Sequence, residues 1–381
     1  MRYLKAACGF VCFLILASNI WSMSRWSEAR GVYDDVCYLR QAHLFQQFGL
    51  NGMDTDISRD DDHYLSQKLK EIGYPTWNDL TTTPCLNLMP ATKKLVMQYP
   101  PGTGFVLALF PQGFQVIPLY VLATVMVFCL ALLAIGYAIT TPSILLTAAF
   151  ADLAVYLMIN PTKASYSMAP TMVLCALAGF LTARLFFAEA QRHRLALAGT
   201  IGLLIGLSVN FRLPNLFLSS GYFAFFAVAF LLSRRIESVL QGALFGIAFL
   251  AGVAPTLLAN AINVGSPFST TYGGVNVTPP DFSLDVVWSY VTDMQFVLLV
   301  LAGAWTALIL RSRRGSGIRR VALVVAGNLL FNLAFFLSHP IFTPYYTIPI
   351  AMLSLWSLLF ASLLAPAEAI DGGRVWQPAK A

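Results

Sequence analysis

A pair of adjacent acids, Asp34 and Asp35, opens the longest polar stretch of this chain, an insert of roughly residues 24–102. The pair lies in the sequence Gly31-Val32-Tyr33-Asp34-Asp35-Val36-Cys37-Tyr38, and Tyr99-Pro100-Pro101-Gly102 closes the insert. A carboxylate can take the proton of a hydroxyl group that lies within hydrogen-bond reach. It can equally cap the first turn of a helix by accepting backbone N–H groups. The sequence leaves both roles open.

A second acidic group follows in the same insert and has the composition of a solvated loop. Its members are Asp54, Asp56, Asp60, Asp61 and Asp62. The Asp-x-Asp sequence at 54–56 could hold a divalent cation through carboxylate oxygens, although this short pattern is a weak signal. No CxxC or histidine-rich spacing indicates another metal site. The sequence therefore assigns no metal ligand and leaves a divalent cation open as a cofactor.

Arg212 interrupts an apolar run, residues 195–232, that is too long for one membrane crossing. The run therefore predicts a helical hairpin with Arg212 in its turn. A guanidinium group there could bind a phosphate through two parallel hydrogen bonds. Its aliphatic stem could instead lie among apolar groups while the charged tip reaches water. Both roles stay open.

Membrane-spanning helices must position these residues, because the chain is 57% hydrophobic and only 11% charged. Its mean hydropathy is +0.69, and soluble proteins carry about 25% charged residues. Apolar runs of about 20 residues are long enough to cross a hydrocarbon core of ~30 Å. We therefore predict an all-α polytopic membrane protein. The net charge of +6 does not indicate nucleic-acid binding, because basic residues gather on the inner loops of such proteins.

About ten transmembrane helices are predicted. They lie near residues 4–23, 114–139, 143–159, 168–187, 195–209, 213–232, 239–261, 294–310, 321–337 and 342–364. The first could be a cleaved signal peptide, but its apolar run exceeds a typical signal core, which favours a retained helix. Either alternative exports the insert. Residues 1–381 are thus predicted to form one integral membrane domain, with 24–102 as the exported first loop.

The basic residues support this topology. With the N-terminus inside, the inner connections hold Arg192, Arg194, Arg234, Arg235, Arg311, Arg313, Arg314, Arg319 and Arg320. The short outer connections hold only Lys163 and Arg212. Positive charges are enriched on inner loops. The insert, the loop at 263–293 and the turn at 339–340 therefore fall on the outer face.

Two short helices and one disulfide are predicted within the insert. Helical spacing over 35–48, with Gly49 as a C-cap, indicates an amphipathic helix on the outer membrane surface that begins at Asp34 or Asp35. A similar spacing over 65–72 indicates a second surface helix. Cys37 and Cys85 are the only cysteines of the insert, and an oxidising compartment permits a disulfide between them.

Several landmarks, in their order, resemble those of the GT-C superfamily of membrane glycosyltransferases. The similarity is to members that use polyprenyl-phosphate sugars, such as protein mannosyltransferases and aminoarabinose transferases. It rests on Asp34-Asp35-x-x-Tyr38-x-x-x-Ala42, Tyr99-Pro100-Pro101-Gly102, the Gly206-to-Arg212 turn, Asn263-Val264-Gly265-Ser266-Pro267-Phe268 with Tyr272-Gly273, and Tyr345-Tyr346-x-x-Pro349. These motifs span most of the chain. Thr343-Pro344 stands where many relatives carry a basic residue, and residues 57–90 match no recognisable feature.

The resemblance implies a GT-C-like fold and the transfer of a sugar from a polyprenyl-phosphate donor, with inversion, to an acceptor at the outer membrane face. It implies that Asp34, with Asp35 as its neighbour, is the catalytic base. Arg212 would stabilise the departing phosphate. The substrate-binding residues would be Tyr38, Tyr99, Tyr345 and Tyr346.

The partners and the location follow from the same resemblance. The expected partners are the lipid-linked donor, membrane lipids and a glycan, lipid or protein acceptor, and nucleic acid is not among them. The expected location is a bacterial inner membrane with the site facing the periplasm.

Two alternatives remain at this stage. A transporter or flippase of lipid-linked saccharides would carry polar residues at the midplane of several helices and inverted repeats. Here the polar residues are concentrated in one outer loop, and no repeat is seen. A polysaccharide ligase would also use lipid-linked sugars, but such chains generally carry their large outer loop late.

Overall fold

The structure, a computed structural model, describes residues 1–28, 33–159, 165–273, 279–312, 315–339 and 341–365. Its helices are α1 (Arg2–Met23), α2 (Tyr33–Phe48), α3 (Tyr64–Glu71), α4 (Gly102–Leu107), α5 (Val116–Tyr137), α6 (Thr141–Tyr156), α7 (Met168–Phe187), α8 (Gln191–Val209), α9 (Ser220–Ser233), α10 (Ile236–Val264), α11 (Leu284–Thr292), α12 (Phe296–Arg311), α13 (Ser316–Ser338) and α14 (Thr347–Leu364). Two short strands, β1 (Leu86–Leu88) and β2 (Leu95–Met97), pair antiparallel within the insert. Short 3₁₀ turns include Gly49–Met53, Leu213–Ser219 and Pro344–Tyr346.

The chain is an all-α membrane protein of several passes. In the described part, eight helices are long and apolar enough to span a membrane. For α6 and α9, the spanning segment includes the 3₁₀ turn that adjoins the helix. A ninth is formed if α11 and α12, which meet at 84°, are one broken span. The remaining predicted crossing, 195–209, corresponds to α8, whose first turn holds Arg192 and Arg194. A described helix therefore lies at each of the ten predicted segments, and eight or nine of these are long and apolar enough to span a membrane.

The insert covers one end of the helix bundle, here termed the insert end. The C-terminal ends of α8 and α10 reach it, because Asn210 bonds to Gly102 and Asn263 bonds to Thr55. The chain preceding α14 reaches it through Tyr345, which bonds to Asp34. At the opposite end, Lys5 of α1 donates to the carbonyl of Gly136 in α5.

Small residues allow the closest helix pair, α8 and α10, to pack backbone against backbone. A Cβ atom built on Gly206 would lie 2.2 Å from the carbonyl oxygen of Phe249, and one on Gly202 would lie 2.2 Å from that of Phe245. Glycine is enriched at such contacts between membrane helices because it lets the backbones approach. This pair fixes the position of Asn210 and Arg212, which follow α8 directly.

Polar side chains join α13 to the neighbouring hairpin, as the sequence suggests for asparagines four residues apart. The Asn328 side-chain oxygen Oδ1 accepts from the Gly221 backbone N–H at 2.6 Å, and Asn332 Nδ2 donates to the Phe217 backbone carbonyl at 3.0 Å. Such bonds orient helices where the hydrophobic effect between them is weak.

The insert folds around a small apolar core of its own. Val36 and Cys37 of α2 pack there against Leu65 and Leu69 of α3, together with Cys85, Leu86 and Met97 of the hairpin. Cys37 and Cys85 form a disulfide, with their Cα atoms 6.6 Å apart. The hairpin that carries Tyr99 is thereby fastened to the helix that carries Asp34.

The prediction that α2 is an amphipathic helix lying on the membrane surface is wrong. The helix exists over the expected residues, and Gly49, with φ +58°, follows it. Every residue from 35 to 45, however, is buried, because α2 lies between the rest of the insert and the helix bundle. Arg40 illustrates the reason, because its buried guanidinium donates to the carbonyls of Thr55 and Asp56. Polar residues that look solvent-facing in the sequence have partners inside the insert.

The second acidic group is likewise only partly a solvated loop. Asp60 is 8% exposed, accepts the Leu65 backbone N–H and lies 3.9 Å from Arg40. Asp62 lies 2.6 Å from a ring nitrogen of His43. These acids fasten the start of α3 to α2. The expectation of a solvated loop is wrong for Asp60, which is buried, whereas Asp62 is exposed.

Candidate active site

The first turn of α2 carries Asp34 into a cavity of about 160 Å³ at the insert end. The residues that line it are Asp34, Tyr38, Gln98, Tyr99, Ser165, Arg212, Pro214, Tyr272, Thr343, Tyr345 and Tyr346. They come from the insert, from the start of α7, from the turn after α8 and from the loops before α11 and α14. Almost all of these side chains carry a polar group, so the cavity suits a polar ligand.

Two tyrosines hold the Asp34 carboxylate. The Tyr99 hydroxyl donates to Oδ1 at 2.5 Å, and the Tyr345 hydroxyl lies 3.4 Å from Oδ2. The second distance is long for a hydrogen bond between oxygens. Oδ2 therefore remains accessible to a hydroxyl group of a ligand in the cavity.

Asp35 points away from the cavity and is 1% exposed. Its Oδ1 accepts the backbone N–H of Tyr166, at the start of the segment leading into α7, at 3.0 Å. The two acids of the pair therefore face different surroundings. Asp34 is placed for contact with a ligand, while Asp35 ties the insert to the helix bundle.

Arg212 faces the cavity with its guanidinium group over two tyrosine rings. Its Cζ lies 4.3 Å from the ring centre of Tyr345 and 5.0 Å from that of Tyr346. Although the residue is only 8% exposed, no carboxylate of the described residues forms an ion pair with it. A buried cation without a counter-ion is costly. The geometry therefore favours an anionic ligand beside Arg212.

Aromatic contacts fix the tyrosines around Asp34. The rings of Tyr38 and Tyr99 lie 4.8 Å apart, and those of Tyr99 and Tyr272 lie 6.3 Å apart. Burial, followed by the neighbouring Asp34 carboxylate, raises the pKa of Tyr99 well above its ordinary value. Burial also raises the pKa of Tyr345, against the opposing effect of Arg212. Both hydroxyls thus keep their protons and act as donors.

The closing motif of the insert is docked on the end of α8. The Gly102 backbone N–H donates to the carbonyl of Asn210 at 2.8 Å. A Cβ atom on Gly102 would lie 2.7 Å from that same carbonyl oxygen, so only glycine fits without displacement. The Asn210 side chain in turn bonds to Gly252 and Thr256 of α10. This contact sets Tyr99 and Arg212 on facing walls of the cavity.

An apolar groove of about 410 Å³ lies beside the cavity. Its walls include Pro101, Phe105, Leu207, Phe211 and Pro255. Pro101 is two residues from Tyr99, and Phe211 precedes Arg212, so the same two segments border the groove and the polar cavity. The groove suits a hydrocarbon chain whose polar end lies at Arg212.

The Asp-x-Asp sequence is not arranged as an open cation site. Asp54 lies 3.1 Å from Lys94 Nζ and 3.7 Å from Arg59 Nη1. Asp56 accepts the backbone N–H of Ser58. Within the described ranges, no group of three or more His, Cys, Asp or Glu side chains is placed to hold a metal ion.

The structure brings six of the predicted site residues to one cavity: Asp34, Tyr38, Tyr99, Arg212, Tyr345 and Tyr346. It leaves Asp35 outside. Sequence reasoning missed Gln98, Ser165 and Pro214 as site residues, because a single residue of these types gives no recognisable pattern. Tyr272 and Thr343 stand in noted motifs, but nothing in those motifs indicated contact with Asp34.

Comparisons with family models, with curated protein sequences and with solved structures found no match to this chain. The candidate site is therefore defined by geometry. The Asp34 carboxylate and Arg212, which has no counter-ion among the described residues, both line a polar cavity, and segments of that cavity also border an apolar groove.

Proposed function

We propose that the protein is a glycosyltransferase that moves a sugar from a polyprenyl-phosphate donor to an acceptor hydroxyl, with inversion at the anomeric carbon. The reaction takes place at the insert end, which would face the periplasm of a bacterial inner membrane. The GT-C resemblance of the motifs around Asp34, Tyr99 and Arg212 supports the reaction class, and the site geometry supports the roles of these residues.

The observation that carries the proposal is the position of Tyr345 between a base and a cation. Arg212 lies over its ring, and Asp34 lies near its hydroxyl. A nucleophile at Asp34 and a leaving phosphate at Arg212 would thus be separated by about the length of a tyrosine side chain. A sugar between them would be open to attack on the face opposite the phosphate. Attack from that side inverts the configuration of the anomeric carbon.

Each group then has one role in the displacement. Asp34 Oδ2 takes the proton of the acceptor hydroxyl as its oxygen forms a bond to the anomeric carbon. The bond between that carbon and the phosphate oxygen breaks, and its electron pair stays on the phosphate. Arg212 stabilises the added negative charge, most effectively because the cavity excludes much of the water. The groove beside Arg212 suits the lipid tail of the donor.

Purified protein should be incubated with labelled polyprenyl-phosphate sugars and a panel of glycan, lipid and protein acceptors. We expect labelled product with the anomeric configuration opposite to that of the donor, as read by NMR. Asp34→Asn and Arg212→Ala should each abolish most of the product. A product of retained configuration, or transfer undiminished in both variants, would exclude this mechanism.

A further inference from the structure

A chain of hydrogen bonds joins the loop after α10 to the Asp34 carboxylate. Its first member is the backbone carbonyl of Thr271, which accepts from Asn87 Nδ2 at 3.1 Å. The same nitrogen donates to Gln98 Oε1 at 3.3 Å, and Gln98 Nε2 donates to the Tyr99 hydroxyl at 3.0 Å. Tyr99 then donates to Asp34 Oδ1 at 2.5 Å.

The donor and the acceptor of every hydrogen bond in this series follow from its first member, the backbone carbonyl of Thr271. A backbone carbonyl accepts and never donates, so Asn87 must turn its NH₂ group toward Thr271. Because this NH₂ group also faces Gln98, the Gln98 side chain must present its oxygen to Asn87 and its NH₂ group to Tyr99. The Tyr99 oxygen accepts from Gln98, and its single proton is left for Asp34.

We propose that Gln98 is a positioning residue that, through Tyr99, holds Oδ1 of Asp34 in a hydrogen bond and so leaves Oδ2 to accept the proton of the acceptor hydroxyl. This inference rests on the proposed function, in which Asp34 is the base. A donor on Oδ1 favours the charged carboxylate. It also leaves Oδ2 directed at the cavity, where the acceptor hydroxyl binds.

Gln98 is held by its backbone as well as by its side chain. Its N–H donates to the carbonyl of Cys85 at 3.0 Å, and its carbonyl accepts from the Thr271 hydroxyl at 2.8 Å. The residue is 7% exposed. A Cβ atom on Gly273 would lie 3.0 Å from Asn87 Oδ1. The loop after α10 therefore fits closely against Asn87, at the end of the hydrogen-bond chain far from Asp34. The amide is therefore fixed in place before any ligand binds.

Other groups around Asp34 do not duplicate this role. The titratable and charged groups that face it are Tyr38 of its own helix, Tyr99 of the hairpin, Tyr272 of the loop after α10, Tyr345 before α14 and, across the cavity, Arg212. Of the tyrosines, only Tyr99 lies at a short hydrogen-bonding distance from Asp34 in the described structure. Gln98 donates its side-chain hydrogen bond to this tyrosine.

Two substitutions test the proposal. Gln98→Met removes the donor without adding charge, and Gln98→Glu keeps the shape but replaces the donor with an acceptor. Both should move the acid limb of the pH–rate profile to higher pH, by up to about 1–2 units for Gln98→Glu. The KM for the donor should change little, because Gln98 does not contact Arg212. Gln46→Glu is the matched control, since Gln46 is exposed and, within the described part of the chain, donates to the carbonyls of Ala108 and Phe110 outside the cavity.

A second measurement does not depend on turnover. The infrared band of a protonated carboxyl group can be assigned to Asp34 by its loss in Asp34→Asn. In both Gln98 variants this band should persist to higher pH than in the wild-type protein and in Gln46→Glu.

The outcomes separate the two proposals. A displaced band without any sugar transfer by the wild-type protein would support the positioning role and exclude the glycosyltransferase. Sugar transfer with an unchanged profile and band in Gln98→Met would overturn the positioning role alone. In a Tyr99→Phe background, Gln98→Met should add no further displacement, and an undiminished effect there would also refute the role.

Discussion

Replacement of Arg212 gives the sharpest test of how the cavity binds its ligand. Since no described carboxylate pairs with Arg212, its removal leaves no buried anion behind, and Arg212→Ala should still fold. The substitution removes two cation–π contacts, each worth about 0.5–2 kcal/mol, and the contact of Nη1 with the Met168 sulfur at 3.1 Å. A phosphate bound by the guanidinium would add about 1.5–3 kcal/mol, which corresponds to about a 10–150-fold loss of affinity.

Arg212→Lys separates charge from shape. Lysine keeps the positive charge but lacks the planar fork that binds two phosphate oxygens. We expect intermediate loss of donor binding and turnover in Arg212→Lys and greater loss in Arg212→Ala. Both should be measured by titration with a polyprenyl-phosphate sugar, at matched membrane levels.

Arg25 provides the control for this experiment. Its guanidinium lies 4.9 Å from the ring centre of Trp21, and the residue is exposed and outside the cavity. Arg25→Ala therefore removes a comparable aromatic contact without touching the site, and it should bind the donor as the wild-type protein does. Wild-type affinity and turnover in both Arg212 variants would refute the phosphate role.

Three further predictions concern the insert. Asp34→Asn should lower turnover by about 10²–10⁴-fold at an unchanged melting temperature. Asp35→Ala should instead lower stability by about 1–3 kcal/mol, because it removes the carboxylate that accepts from the buried Tyr166 backbone N–H. Cys37→Ser should destabilise the insert by up to about 4 kcal/mol, as judged by limited proteolysis, since the bridge spans 48 residues of sequence. Gly102→Ala should cost about 1–3 kcal/mol in thermal unfolding, and Gly136→Ala, with open space at its Cβ position, is its control.

Each of these expectations has an outcome that contradicts it. Equal turnover losses in Asp34→Asn and Asp35→Ala would mean that the two acids do not have separate roles. Free thiols at positions 37 and 85, found by mass spectrometry under non-reducing conditions, would show that the disulfide does not form. If Gly102→Ala and Gly136→Ala unfold at the same temperature, the close approach to Asn210 is not a constraint.

The spanning helices could be predicted because hydropathy alone determines them, whereas the insert required knowledge of tertiary partners. Helical spacing over 35–48 correctly indicated a helix. It could not reveal that Arg40 is covered by the carbonyls of Thr55 and Asp56, so the polar face was assigned to water. A sequence pattern shows that a residue is charged, but it does not show what lies opposite it.

The cavity could be anticipated only where a motif marked its residues. Asp34 and Tyr345 are 311 positions apart, and Asp34 and Tyr99 are 65 apart. No local periodicity connects positions so distant. No sequence pattern marked Gln98 as a site residue, because its role depends on the direction in which its side-chain amide group points. That direction depends on a backbone carbonyl in another loop.

The burial of α14 has a consequence for the order in which the protein is assembled. Every residue of this helix from Thr347 to Ala361 is buried, and it packs against α5, α7, α12 and α13. All four precede it in the chain, so during synthesis they must enter the membrane with a vacant position between them. Tyr345 and Tyr346 arrive directly before α14. The cavity is consequently completed at the final stage of insertion, and a chain shortened before residue 345 lacks the tyrosine surface on which Arg212 rests.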